Sequence, residues 1–169
     1  EPQHLIKTLI EKTDVEDVVL YQMLSYTLSQ YIREDRFFDR FALKLFFISV
    51  PMRNAAFEGK IEYIPAYLSQ IPDLFANRTI GLDVALVQVS PPDKFGYCSL
   101  GISVDVTKAA LEHARVVIAQ INPKMPRTFG DAFVNMEKLD YVVWHEEPLL
   151  GFSPRVKNTE VVRRIGHYV

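Results

Sequence analysis

The chain has 169 residues, 49% of them hydrophobic and 24% charged, with a formal net charge of −2. This length suffices for one domain with a real core, and the composition is that of a soluble globular protein. The near-neutral balance argues against a nucleic-acid or polyphosphate partner held by bulk charge, and no apolar run approaches the roughly 18 residues that a membrane helix needs.

Cys98 is the single cysteine, so no intrachain disulfide is expected, and a reducing, cytoplasmic setting fits. The chain opens at Glu1-Pro2-Gln3 with neither a signal peptide nor an initiator methionine, which points to a trimmed or partial polypeptide.

Pro2 suits the first turn of a helix, and Leu5, Ile6, Leu9 and Ile10 then fall on one helical face. Val18-Val19-Leu20-Tyr21 reads as a strand, and the small polar run Ser25 to Gln30 as the loop after it. Arg33 to Arg40 mixes both signs of charge with Phe37 and Phe38, which predicts a surface helix or turn rather than a nucleic-acid stripe. Leu43 to Val50 predicts a second buried strand. Pro51 to Phe57 predicts a short helix begun by its proline and stopped by Gly59. Tyr63-Ile64-Pro65 is a brief extended piece. The pattern from Ala66 to Ala76 is helical but broken at Pro72. Because a residue before proline avoids the α region, the helix is placed from about Pro72.

Leu82 to Val89 is a third strand, rich in residues that fit a buried position. Ser90, Pro91 and Pro92 end it, since neither proline has an N–H for a ladder. Asp93-Lys94-Phe95-Gly96 reads as a turn with Gly96 free to take positive φ, and Tyr97 to Leu100 as a short strand that Gly101 loosens. A rigid prolyl loop after a buried strand is either a ligand loop of an open α/β sheet or a corner that only turns the chain. Thr107 to Arg115 predicts a helix capped by Asp105 or Thr107, and Val116 to Ile121 a fourth buried strand. Asn122 to Asp131 is a second prolyl loop, with Pro123 and Pro126. Asp140 to Trp144 is a fifth strand. Glu146 to Lys157 reads as a linker, and Asn158 as the cap of a last helix, Thr159 to Val169. Strands alternating with short helices predict an α/β fold, a mostly parallel sheet flanked by helices with right-handed crossovers.

The run Val87-Gln88-Val89-Ser90-Pro91-Pro92-Asp93-Lys94-Phe95-Gly96-Tyr97-Cys98-Ser99-Leu100-Gly101 resembles the signature of the acetyl-CoA hydrolase and 4-hydroxybutyrate CoA-transferase family. Tyr63 to Pro72 and Ala119 to Asp131 are similar to two further family segments, in the right order. The resemblance spans nearly the whole chain but only the amino-terminal half of a family member. It implies a CoA-transferase-like fold related to sugar-phosphate isomerases. Residues 1–145 would be the amino-terminal domain, and residues 146–169 the linker and start of a connection to a second domain. It implies transfer of CoA between an acyl-CoA and a small carboxylic acid through a glutamyl-CoA thioester. The glutamate would lie in that second domain, beyond Val169, so no catalytic residue is assigned in this chain. Coenzyme A is the implied cofactor-like substrate, without a metal. Water as acceptor, an acyl-CoA hydrolase, is an alternative, and so is a non-catalytic module of the same fold. The face that the second domain would cover is expected to be apolar, so a homo-oligomer or a bound partner is expected. The resemblance also places the Ser25–Gln30 loop near the active-site mouth, whereas its residues alone are equally consistent with a plain connection.

The pocket residues expected on the two prolyl loops are Pro91, Pro92, Gly96, Tyr97, Ser99, Met125, Arg127 and Gly130. Both loops follow buried strands and are expected on one sheet edge, with Arg127 facing the Gly96–Ser99 turn. Its guanidinium suits bidentate capture of a carboxylate or phosphate; the competing reading is a surface pair with Asp131. Cys98 is expected in the core. Glu58, Glu62, Glu112, Glu137, Glu146 and Glu147 are expected to be solvated, and His4, His113, His145 and His167 show no metal-ligand spacing. Family members often carry histidine where Phe95 and Phe129 stand here, and glutamate where Gln70 stands, which leaves the substrate class open.

Overall fold

The computed structural model describes residues 1–151 and 160–168. The elements are α1 (Gln3–Glu11), β1 (Val18–Gln22), α2 (Asp35–Phe38), β2 (Phe41–Leu45), α3 (Arg53–Phe57), β3 (Ile61–Tyr63) and α4 (Ile71–Ala76). They continue with β4 (Val84–Val89), β5 (Tyr97–Ser99), α5 (Thr107–His113), β6 (Val116–Ile121), β7 (Phe133–Asn135), β8 (Tyr141–Trp144) and α6 (Glu160–Tyr168). The expected cap at Asn158 and the first residue of its helix, Thr159, lie outside the described residues.

The parallel strands form two sheets, ordered β1-β2-β3 and β4-β6-β8, with every pairing parallel. This is the α/β architecture with parallel sheets flanked by helices that the alternation of elements predicts. The first sheet carries a core of Phe41, Leu43 and Leu45 against Ile6 and Ile10 of α1. The second buries Ala85, Val87 and Val89 against Val117, Ala119, Ile121 and Leu111 of α5. A third cluster, Phe46, Ile71, Phe75, Ile80 and Val106, gathers α4, the approach to α5 and the end of β2. The carboxyl ends of β1 and β4 meet at Glu1. Its backbone oxygen accepts from Gln88 Nε2 (3.2 Å), and its carboxylate accepts from the loop after β1.

Several boundaries differ from the sequence reading. The second strand is Phe41–Leu45, not Leu43–Val50: the chain leaves the sheet at Phe46, and Val50–Met52 is a 3-10 turn started by Pro51. Phe46 is as buried as the strand residues because it turns into the third cluster, which is why its apolar run mimics a longer strand. The helix around Phe37 is short, and Phe37 is core rather than surface, its ring stacked 5.1 Å from Phe41. Pro72 sits in the first turn of α4, as its missing N–H demands. Asp105, not Thr107, tethers the start of α5: its Oδ1 accepts from the amides of Val106 and Thr107. The sequence reading has no counterpart to β7, which pairs antiparallel with β5.

Candidate functional site

β4 and β6 run in parallel with Val84 opposite Val116 and Val89 opposite Ile121, and β8 lies parallel beside β6. The loops after these strands, from Ser90 and from Asn122, therefore emerge on one edge. They touch. Ser99 is fully buried, and its Oγ accepts the amides of Thr128 (3.1 Å) and Gly101 (3.1 Å) while lying 3.2 Å from Thr128 Oγ1. Ser90 Oγ in turn accepts the amide of Ser99 (2.9 Å). Gly101 is a close-approach point: at φ +64 a Cβ would collide with the Met125 side chain and come 2.9 Å from the Pro126 carbonyl oxygen. It locks the segment rather than loosening it.

At the tip of the first loop the Asp93 carboxylate organises the turn. Oδ1 accepts the amides of Phe95 and Tyr97, both at 2.9 Å, and Gly96 takes φ +82 to let the chain reverse. Arg127 Nη2 donates to Asp93 Oδ2 (2.6 Å) and Nη1 to the Tyr97 carbonyl (2.9 Å), while its guanidinium lies 4.7 Å from the centre of the Phe133 ring. The Tyr97 amide, then the Phe95 amide and the Arg127 charge, hold the Asp93 carboxyl below the usual carboxylate value. The partner of Arg127 is thus Asp93. Asp131, the alternative, is paired with Lys108.

The expected pocket residues divide into two groups. Pro91, Pro92, Gly96, Tyr97, Arg127 and Gly130 reach the surface of the two loops at least in part, whereas Ser99 and Met125 are buried behind them. Ser99 holds the two loops together from behind, while Met125 packs beneath Gly101 and lines a crevice between the two sheets. Cys98 is fully buried, and removal from water pushes its thiol up to about 11. It is core, as expected.

Three buried amides escaped the sequence reading. Gln88 and Gln120 face each other in register, and Gln120 Nε2 donates to Gln88 Oε1 (3.1 Å), as does Asn122 Nδ2 (3.1 Å). Gln120 Nε2 also bonds the Glu147 carboxylate, and Asn122 Nδ2 the Glu147 backbone oxygen (2.9 Å). Glu147 is therefore not the solvated residue expected: its side chain is 16% exposed and 3.9 Å from His145, whose ring stacks on His4 at 3.9 Å. The missed signal is a glutamine in each of two apolar strands, since a polar side chain in a buried parallel strand needs a partner. Glu1 is the other omission. Its carboxylate accepts from Ser25 Oγ, Thr27 N and Thr27 Oγ1, at 2.8, 2.9 and 2.8 Å.

Between the edge strands β1 and β4 lies a crevice of about 390 Å³, lined by Val19, Met23 and Leu24 on one side and Val84, Leu86 and Gln88 on the other. Of the two prolyl loops, Met125 is the residue that reaches this crevice. Among the described residues no group of three or more His, Cys, Asp or Glu side chains is arranged to hold a metal ion, and no helix is long and apolar enough to cross a membrane.

Comparison with known proteins agrees with this geometry. The chain is 38% identical over 169 residues to the 4-hydroxybutyrate coenzyme A transferase of Clostridium kluyveri, covering 98% of this chain and 38% of that protein. It is 37% identical to the succinyl-CoA:acetate/propanoyl-CoA:succinate CoA transferase of Fasciola hepatica, covering 99% of this chain and 35% of the relative. The crystal structure of RipA from Yersinia pestis superposes with a TM-score of 0.87 at 27% identity, covering 99% of this chain and 41% of that one. The chain thus spans little more than a third of the curated relatives it matches. Residues 1–154 match the model of the acetyl-CoA hydrolase/transferase N-terminal domain, and the chain belongs to that family.

Proposed function

We propose that this chain is the amino-terminal part of an enzyme that moves coenzyme A between an acyl-CoA and a small carboxylic acid. The observation that carries the reading is the shared edge of β4 and β6, where two prolyl loops are pinned together in a chain of this family. Pro91, Pro92, Pro123 and Pro126 restrict the backbone there, which lowers the entropy lost when a ligand is ordered. In this reading the loops that carry Pro91, Pro92, Gly96, Tyr97, Arg127 and Gly130 form one wall of the acyl-CoA pocket.

The nucleophile comes from outside the chain. The acids at this edge are committed: Asp93 to Arg127 and two amides, Asp131 to Lys108, Glu146 to Lys124, Glu147 to Gln120. A glutamate of a second domain would attack the thioester carbonyl and expel CoA thiolate, giving an acyl-glutamyl anhydride. The thiolate would then attack the glutamyl carbonyl, release the first acid as its carboxylate and leave a glutamyl-CoA thioester, on which the acceptor acid repeats the two steps in reverse. The exposed Tyr141 and Trp144 of β8 suit contact with that domain or a second copy. Water as the final acceptor is the second reading, favoured by the family's description, which names hydrolase beside transferase.

The test is an assay of the whole protein with acetyl-CoA and a panel of short carboxylates. New acyl-CoA formed at the expense of acetyl-CoA supports transfer. Free CoA released at the same rate with and without an acid supports hydrolysis. Neither product, with folded protein, would refute both.

A further inference from the structure

We infer that Asp93 and Arg127 are a positioning pair: a brace that fixes the two prolyl loops against each other and commits the Arg127 charge to the opposite loop rather than offering it to a substrate anion. The inference rests on the function proposed above. Arg127 was the natural candidate for an anion ligand, because a guanidinium on a glycine-bearing loop suits carboxylates and phosphates. Its surroundings assign it otherwise. One arm donates to Asp93 Oδ2 at 2.6 Å, the other to the Tyr97 carbonyl at 2.9 Å, and the Phe133 ring lies 4.7 Å from its centre. Both partners on the opposite loop belong to one turn. Asp93 Oδ1 is also filled, by the Phe95 and Tyr97 amides at 2.9 Å. The turn, the carboxylate and the guanidinium are therefore one hydrogen-bonded unit that spans the two loops.

The unit has a partner behind it and tips in front. Ser99 Oγ and Thr128 N join the same loops at 3.1 Å in the buried layer, so the neighbours Arg127 and Thr128 grip the first loop at two levels, at Asp93 and Tyr97 in front and at Ser99 behind. In front, Phe95 and Phe129 stand 71% and 85% exposed, adjacent to Gly96 and Gly130. The brace sets where these rings point and how far apart the tips stand. The pair is partly exposed, with 33% of the Arg127 side chain and 29% of the Asp93 side chain open to solvent, but differs from an isolated surface pair because its partners are held by further hydrogen bonds before they meet.

The test uses the whole protein and four variants: Asp93→Ala, Arg127→Ala, the double variant, and Arg127→Lys. Each single alanine variant is expected to lower kcat/KM by about tenfold or more, with the KM values for acyl-CoA and acid moving together. The double variant is expected to match the single ones within about twofold, because both remove one unit. Arg127→Lys is expected to rescue little, since an ammonium cannot serve Asp93, the Tyr97 carbonyl and the Phe133 face at once. Where an alanine variant fails to fold, Asp93→Asn and Arg127→Gln take its place. The brace is overturned if Arg127→Ala raises KM for one substrate alone, Arg127→Lys restores it, and Asp93→Ala leaves it untouched. Amide exchange without substrate separates the two readings. Faster exchange in both 93–97 and 126–131 in either variant supports the brace even if the wild type transfers no CoA. Unchanged exchange in the opposite loop overturns the brace even if transfer is normal.

Discussion

The two sheets end in loops held by different means. After β4 and β6, a buried serine, a steric lock at Gly101 and an ion pair join one loop to the other, and every link is short in space and long in sequence. After β1, the Ser25–Thr27 turn is held chiefly by one carboxylate, that of Glu1, reaching from the start of α1. The first arrangement is over-determined: losing one contact leaves the others in place. The second depends on a single residue, and that residue also ties the two sheets through Gln88. A wall joined at several points thus contrasts with a turn whose long-range hydrogen bonds converge on Glu1.

The contrast is sharpened first at Gly101. Gly101→Val adds a side chain to a positive-φ position and drives it into Met125 and the Pro126 carbonyl. Strain and overpacking together should cost about 2–5 kcal/mol, read as a shift of the urea midpoint. Gly81→Ala, where nothing lies within 4 Å, is expected to be near neutral.

Ser99→Ala comes next. It removes the acceptor of two amides in a fully buried place and should cost about 1–3 kcal/mol. Amide exchange should quicken at Gly101 and Thr128 while the rest of the second sheet is unchanged.

Glu1→Ala should cost about 1 kcal/mol, comparable to loss of a helix cap. Its signature is local: exchange at Tyr26, Thr27 and Leu28 should quicken far more than exchange in 90–99. Equal loosening of both loop systems would break the contrast.

The last effect concerns Cys98 and is confined to alkaline pH. The unfolded thiol ionises near 9, whereas the native one stays protonated to about 11. The native state then binds more protons, so stability should fall as pH rises from about 9 to about 11 and level beyond. The native thiol should resist a disulfide reagent at pH 8 and react once unfolded.

Most of the parallel strands were legible because β-branched and apolar runs bounded by prolines leave little choice of element, as at Val84–Val89 and Val116–Ile121. The prolyl loops were legible for the same reason. Partners across the fold were not. Arg127 has an acid four residues away in Asp131, yet it meets Asp93 because the parallel register brings the two loop tips together. Phe46 reads as strand, since its apolar character does not say which of two cores it enters. Phe133–Asn135 was missed because a three-residue strand has no period to detect; its pairing with Tyr97–Ser99 defines it. Glu147 reads as solvent-exposed because its buried partners, Gln120 and Asn122, are 27 and 25 residues away.

The central claim, that the two cross-linked prolyl loops form a wall of the acyl-CoA site, is tested most directly by hydrogen exchange on the whole protein with and without saturating acetyl-CoA. Added protection in both 90–99 and 122–131, with little change in α4, is the predicted result. Protection confined to other segments, with both loops exchanging at their free rates, would contradict it.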